Sequence, residues 1–409
     1  MTRLNQHMTH FEDLVLLGTS GLDELKNKID NITSIDTNYT AKIDGAPAVT
    51  IWSTFEGYPD NSISLKSFVR GSNKAMSTIE EIESAYGDRP NMCEKLKYCL
   101  QLTKCIPAGE AWQGDCLFTA ASLKVRDILG KEYVTFQPNK IIYAVSENNI
   151  SYKQIINSDF GICFHTIYKG NAEIKEQSFK VDATRLKKVP TNIYVMSPTI
   201  NRPEKISGEL KRLINIFNTT SEKLLHSADD FNTLTDNALF IKYWNMFENN
   251  YLSDNGVSTF NSSYKKNLIE FINKKLKTEL EKKLSTLKTD KGKEKANEIY
   301  LREVNELTDI IDNSNILDNI VDCINIAAKI KLALLREFKN IDIDTFFKSK
   351  TRGYIPTAGE GIAMSDNFGN VVKLVDRSTF SNANRDDDIE RGFTEDLDIS
   401  NKEKYAVIG

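Results

Sequence analysis

No stretch of this 409-residue chain stays apolar long enough to cross a bilayer, and its first residues, MTRLNQHMTHFEDL, lack the apolar core and cleavage site of a secretion signal. The expectation is a cytoplasmic protein with no membrane partner. Histidine is scarce: there are four, and only His7 and His10 stand close together. No acid-and-cysteine set accompanies them, so they read as local structural residues, not metal ligands. The six cysteines form no C-x-x-C pair, and a chain of this length needs no disulfide staples, so reduced, partly buried thiols are expected. A strong charge of one sign is missing as well. The net charge is −4, so any binding to nucleic acid must come from a local patch. Pro-rich and Gly/Ser-rich linkers and internal repeats are absent too. What remains is an ordinary composition, 40% hydrophobic and 27% charged, in a chain long enough for two or three compact units.

Residues 1–200 read as mixed α/β. Short β-branched and aromatic runs recur at 48–52, 63–69, 133–136, 141–145 and 162–168, and helical periodicity appears at 21–32 and 79–103. Over 201–349 strand-like alternation gives way to lysine-rich helical patterns. Leu276, Leu280, Leu284 and Leu287 form one stripe, and Ile299 to Ile311 resume it after a break at Asp290-Lys-Gly292. Strands are expected again over 350–385, at 361–364 and 371–375, around an Asp366-Asn-Phe-Gly369 turn. Residues 386–409 form an acidic tail, expected to be solubilising or disordered.

The residues able to do chemistry lie in separate short strings. Lys42-Ile-Asp44-Gly45 precedes the apolar run 46–52. A solvated lysine, with a pKa of ~10.4, offers only about 0.1% of its amine unprotonated at neutral pH. Seating Lys42 against an apolar strand is expected to lower that pKa by desolvation and free the amine to attack a nucleotide's α-phosphorus. Asp44 would orient the lysine or a ribose, and Gly45 would let the backbone approach the nucleotide. Taken alone, the tetrad also fits an Asp-Gly turn beside a surface lysine. ISLKSFVRGS, residues 63–72, reads as a strand running into a basic turn, with Lys66 and Arg70 suited to phosphates or a substrate end. Residues 112–118 place a lone carboxylate, Asp115, in an apolar strand. Residues 136–145 form a strand carrying Tyr143, an aromatic suited to a purine. Near the other end, Glu360 and Lys373 face each other across a hairpin; Glu360 would take Mg²⁺ and Lys373 would neutralise the α-phosphate.

In this order the strings resemble the motifs of the covalent nucleotidyltransferases, the polynucleotide ligases and mRNA capping enzymes. KSFVRGS, QPNKIIYAVSEN and EGIAM with its following lysine are most similar to segments of tailed-phage RNA ligases. The whole, with HMTHFEDLVLLG, KIDGAPA and KLVDRSTFSNAN, resembles a group of uncharacterised phage proteins, which would place it in a host cytoplasm. The resemblance covers roughly residues 1–170 and 350–385. It implies an α+β fold, a nucleotidyltransferase (ATP-grasp-like ligase) domain of antiparallel sheets with helices, interrupted by a large all-helical insertion. It also implies ATP and Mg²⁺, with Lys42 and Lys373 as catalytic residues and AMP attached to Lys42. Asp44 and Gly45 complete that motif; Lys66, Arg70, Asp115, Tyr143, Glu360 and Lys373 contact nucleotide, and Glu360 and Asp115 serve the metal. Asp115 stands where the family usually has Glu. The closing motif usually has two lysines, but Lys373 is flanked by Val371 and Val375, which leaves Arg377 to supply the second cation. More than 200 residues separate Tyr143 from Glu360, and too few follow Arg377 for an OB-fold. The insertion is therefore the expected substrate grip.

The leading expectation is an ATP-dependent RNA ligase that transfers AMP from Lys42 to a 5′-phosphate strand end, with RNA preferred to DNA. Beside it stand a non-catalytic structural or interaction protein that keeps the ligase fold, and a nucleotidyltransferase with a protein or small-molecule acceptor. Residues 262–300 hold 11 lysines against 6 acids. That fits a phosphate-binding strip, and it equally fits a solvated helix face.

Overall fold

The computed structural model describes residues 8–65, 74–173, 175–338, 343–357, 359–367, 369–378, 386–390 and 392. Lys66 and Arg70 lie outside them. The chain begins with β1 (Thr9–His10), a 3-10 turn (Glu12–Leu17) and α1 (Gly18–Asp30). There follow β2 (Asn38–Ala41), β3 (Ala48–Trp52), β4 (Ser62–Ser64), α2 (Ile79–Tyr86), α3 (Pro90–Gln101) and β5 (Glu110–Thr119). Next come β6 (Lys124–Ile128), β7 (Lys131–Phe136), β8 (Ile141–Ser146), α4 (Tyr152–Ile156), β9 (Phe160–Gly170), β10 (Lys175–Ser178), β11 (Ile193–Met196) and β12 (Thr199–Ile200). The helical segment consists of α5 (Gly208–His226), α6 (Ala228–Asp236), α7 (Ala238–Asn255), α8 (Tyr264–Thr286), α9 (Asp290–Asn313) and α10 (Asn315–Glu337). β13 (Asp344–Ser349), β14 (Gly353–Pro356), β15 (Ile362–Ser365) and β16 (Val371–Leu374) close the fold.

The protein is thus α+β, with three sheets and a helical region. The first sheet has the order β1-β16-β15-β2-β12, the second β10-β9-β5-β3-β4 with β11 beside β9, and the third β14-β13-β8-β7-β6. Pairing is antiparallel except at β1–β16 and β11–β9. Alternation explains β3: Val49 and Ile51 enter a core with Leu96 and Cys99 of α3, while Trp52 joins a separate cluster with Phe55 and Tyr168. All six cysteines are buried and unbridged.

The helical segment shares its core with the first sheet. Leu210, Trp244, Leu317 and Leu334 pack in one cluster with Phe11, Leu25, Ile362, Met364, Val372 and Leu374. α10 runs through it, burying a broad apolar face while Asp318, Asp322, Lys329 and Arg336 stay on the exposed side. Two boundaries differ from the sequence expectation. The helices stop at Glu337, and Asp344–Ser349 is a strand paired to β8, with Phe346 and Phe347 buried on opposite faces in two different clusters. The start of the acidic tail is also docked: Ile389 is buried and bridges to Ser349. The break between the leucine stripes falls where α8 ends and Thr289 caps α9. Leu276 is buried there, whereas Leu280, Leu284 and Leu287 are half-buried.

Candidate active site

Lys42 follows β2, and its backbone N–H donates to Gly361 O at 2.9 Å, continuing the pairing of Ala41 with Ile362. That register sets Lys42 beside Glu360, from the other end of the chain. Lys42 Nζ donates to Glu360 Oε2 at 2.8 Å and to Asp44 Oδ1 and Oδ2 at 2.6 and 2.5 Å. Glu360 is flanked by Gly359 and Gly361, both with positive φ; a Cβ at Gly361 would stand 2.3 Å from Leu374 O. The hairpin β15–β16 then pairs Ala363 with Lys373.

Electrostatics at the site reverse one expectation. Burial does pull the Lys42 pKa down, but the carboxylates of Asp44 and Glu360 outweigh it, and the amine is held above its ordinary value. Glu360 is pushed up to about 9, by burial and then by Asp44, with which it shares a proton. Burial opposes ionisation of Asp44 too, but its hydrogen bond with Glu360 and the charge of Lys42 hold it below the usual range. The resting site is therefore an ammonium between a carboxylate and a carboxyl. Lys373 goes the other way, lowered by burial and then by Arg377.

Two cavities meet at this group, and Lys42 and Glu360 line both. One, of about 330 Å³, is walled by Ile43, Tyr143, Ile343 and Ile362 and by Leu335 and Phe338 at the end of the helical segment. The other, of about 210 Å³, is lined by His10, Asn249, Leu252, Lys373, Val375 and Arg377. Tyr143 is buried and stacked on Phe136 at 5.4 Å, and its phenol is raised by burial and by the charges of Glu360 and Asp44.

The remaining sequence candidates are placed less directly. Gly45 does not lie open for a nucleotide: a Cβ there would stand 2.3 Å from Cys116 O, so its smallness serves packing on β5. Asp115 lines neither cavity and faces His165 Nε2 at 3.9 Å, although His165 lies near enough to stabilise Asp44. Arg377 reaches the smaller cavity, but its charge is taken by Asp13, by Glu248 at 2.9 Å and by Glu12 at 3.6 Å. A guanidinium already ringed by three acids is a poor substitute for the missing second lysine. The sequence reasoning missed Asn139, which donates to Glu360 Oε1 at 2.7 Å and to Asp44 O at 3.2 Å and accepts from Ile141 N at 2.7 Å. Its signal was the QPNK segment, which reads as part of the strand but lies in the bend ahead of β8. It also set His10 aside.

Residues 5–387 match a family of unknown function, DUF6267. The chain belongs to that family. No curated protein and no solved structure matches it. No helix among the described residues is long and apolar enough to cross a membrane.

The donors present are compatible with magnesium. Asp44 and Glu360 offer hard carboxylate oxygens, here turned toward Lys42 Nζ. Among the described residues no group of three or more His, Cys, Asp or Glu converges on one point, so further oxygens would have to come from a nucleotide's phosphates.

Proposed function

We propose that the protein is an ATP-dependent nucleotidyltransferase that takes up AMP on Lys42 and passes it to the 5′-phosphate of a polynucleotide end, as an RNA ligase does. The observation that carries this reading is the position of Lys42 between two cavities of different chemistry. One has apolar and aromatic walls, with Asp344, Thr345, Thr357 and Asp376 as polar groups, and is fit for a nucleoside; the other carries the cation Lys373, fit for phosphates. A nucleotide lying across both would set its α-phosphorus beside Nζ, with Tyr143 and Phe338 on the base side and Lys373 on the phosphate side.

In the reaction, the Lys42 lone pair forms an N–P bond, the P–O bond to the β-phosphate breaks, and diphosphate leaves with that electron pair. The ammonium loses two protons on the way to a phosphoramidate. One goes to Asp44, in contact at 2.5 Å, and the other to the departing diphosphate. Glu360 would hold magnesium together with the nucleotide's phosphates, and the cation would offset the charge developing on them, while Asp44 stays on the ammonium as proton acceptor. Asn139 keeps Glu360 and the Asp44 backbone in place throughout. The preference for RNA rests on the resemblance of residues 66–72 and 137–148 to phage RNA-ligase segments.

The test is incubation with magnesium and α-labelled ATP. Label that survives denaturation, disappears in Lys42→Ala and appears in a phosphatase-resistant joined strand is the expected result. One observation favours a non-catalytic protein of this fold instead: Lys42 is held as an ammonium by two acids. Absence of label decides for it, and label passed to a protein or small acceptor without strand joining decides for a different transferase.

A further inference from the structure

The smaller cavity holds more than AMP uptake requires. His10 lies opposite Lys373 in the parallel pairing of β1 with β16, so both side chains leave the first sheet on the same face. α7 closes the cavity from across, with Leu252 above and Asn249 exposed at the mouth. What seats α7 there is the neighbouring Glu248, 2.9 Å from Arg377. His10 Nδ1 is buried without a hydrogen-bond partner, and the Lys373 ammonium has no ion pair among the described residues. Burial, and then the charges of Arg377 and Lys373, keep the His10 imidazole neutral, so it brings one N–H donor and no added charge. Half-buried donors left open in this way call for an acceptor, because an unmet buried donor is costly.

We propose that this cavity is a diphosphate site, in which Lys373, His10 and Asn249 hold the inorganic diphosphate released when Lys42 takes up AMP. The proposal rests on the Lys42 reading above and gives the helical segment a part in the reaction: α7 grips the leaving group. Asn249 spends one amide N–H on Asn245 O at 3.0 Å and has a second to offer. Arg377 lines the cavity too, but its charge is paired with Asp13, Glu248 and Glu12, and through Glu248 it positions α7. The ligand is a small anion and not a strand, because the cavity's volume is only about 210 Å³.

The experiment titrates the full-length protein calorimetrically with sodium pyrophosphate in magnesium chloride buffer. In parallel it measures how fast pyrophosphate discharges labelled lysyl-AMP. Wild type is expected to bind pyrophosphate. Asn249→Asp, which puts a negative charge at the mouth on an exposed side chain, is expected to weaken binding and slow discharge at least about tenfold, as replacing one charge-assisted hydrogen bond with a repulsion should. His10→Ala should do the same, with melting temperatures showing both variants folded. Unchanged affinity and discharge in Asn249→Asp and His10→Ala would overturn the diphosphate site while leaving the lysyl-AMP reading intact. If wild type forms no lysyl-AMP yet binds pyrophosphate, and both variants lose that binding, the anion site stands and the transferase reading falls.

Discussion

Lys42 and Lys331 are each held by a carboxylate from the opposite end of the chain, Glu360 in one case and Glu12 in the other, 318 and 319 residues away. Both contacts are short, 2.8 and 2.5 Å, and both clusters contain a carboxyl kept protonated. Their surroundings differ. Lys331 and Glu12 are almost completely enclosed, joined by Asp13, Glu248 and Arg377, where α7, α10 and the N-terminal turn meet the first sheet. Lys42 keeps 23% of its side chain exposed and opens onto two cavities. Similar chemistry, walled in, locks the helical segment to the sheet; opened to ligands, it is available for reaction. A buried lysine–carboxylate pair is therefore no functional signal until its exits are counted.

Exchanging the two lysines for neutral residues should separate these roles. Lys42→Ala is expected to remove AMP uptake altogether, leaving no label on denatured protein, while the urea midpoint stays near that of wild type. Asp44 keeps 43% of its side chain exposed, so water can solvate the carboxylate that the ammonium leaves behind. Lys331→Met should do the opposite. It strands Glu12 in a dry interior and should cost about 3–5 kcal/mol of stability, read from urea unfolding, with lysyl-AMP still formed below the transition. Lys331→Met with no stability loss would break the comparison, because the enclosed cluster would then not be the lock.

Gly45→Ala lies between these extremes. The added methyl meets Cys116 O, so the loop must shift away from β5, at about 1–3 kcal/mol. Because Ala46 N bonds to the same carbonyl at 2.9 Å, the shift moves Asp44 off Lys42, and AMP uptake should fall more steeply than stability.

How much of this was legible beforehand divides along the same line. Local signals were sufficient for β3, for the β15–β16 hairpin and for the break before α9, since alternation, turn residues and a capping Thr289 act within a few positions. They also sufficed to nominate Lys42, Glu360 and Lys373. What the chain could not announce were partners chosen by long-range pairing. The parallel β1–β16 register brings in His10, Asn139 reaches Glu360 from 221 residues away, and Arg377 is taken by three acids on two elements, the N-terminal turn and α7. The Lys42 pKa was misjudged partly for the same reason: the neighbouring Asp44 raises it most, a local effect that was underweighted, and Glu360 adds to it from the far end of the chain.

The protonated carboxyls give a smaller effect with a definite sign. Glu248, in the enclosed cluster, is raised from 4.5 to about 8 by burial and then by Asp13. Between those values the folded chain holds a proton that the unfolded chain has lost. This contribution to stability is complete below about pH 4.5 and disappears as pH rises through 8. Glu360 adds the same trend up to about 9. Urea midpoints taken from pH 5 to 8 should decline in wild type and less steeply in Glu248→Gln, which keeps the shape without the ionisation and leaves only the Glu360 trend. An equal decline in the variant would place the titration elsewhere.

The smallest effect is expected at the far end of the helical segment, where α8 and α9 run out past the shared core. Lys282, Lys283, Lys291, Lys293 and Lys295 are exposed there, and Leu301 is 57% exposed. Changing these five lysines to glutamine should alter stability by no more than about 0.5 kcal/mol, because no buried group gives up a partner. AMP uptake should not change, since neither cavity includes a residue of α8 or α9. Strand joining measured against salt is the sensitive readout. If the tip grips a strand, the slope of log affinity on log salt falls by ~0.7 for each phosphate contact removed; if the lysines only keep the tip solvated, the slope stays where it was. An unchanged slope would confine the functional part of the helical segment to its base, where α7 and the end of α10 wall the two cavities.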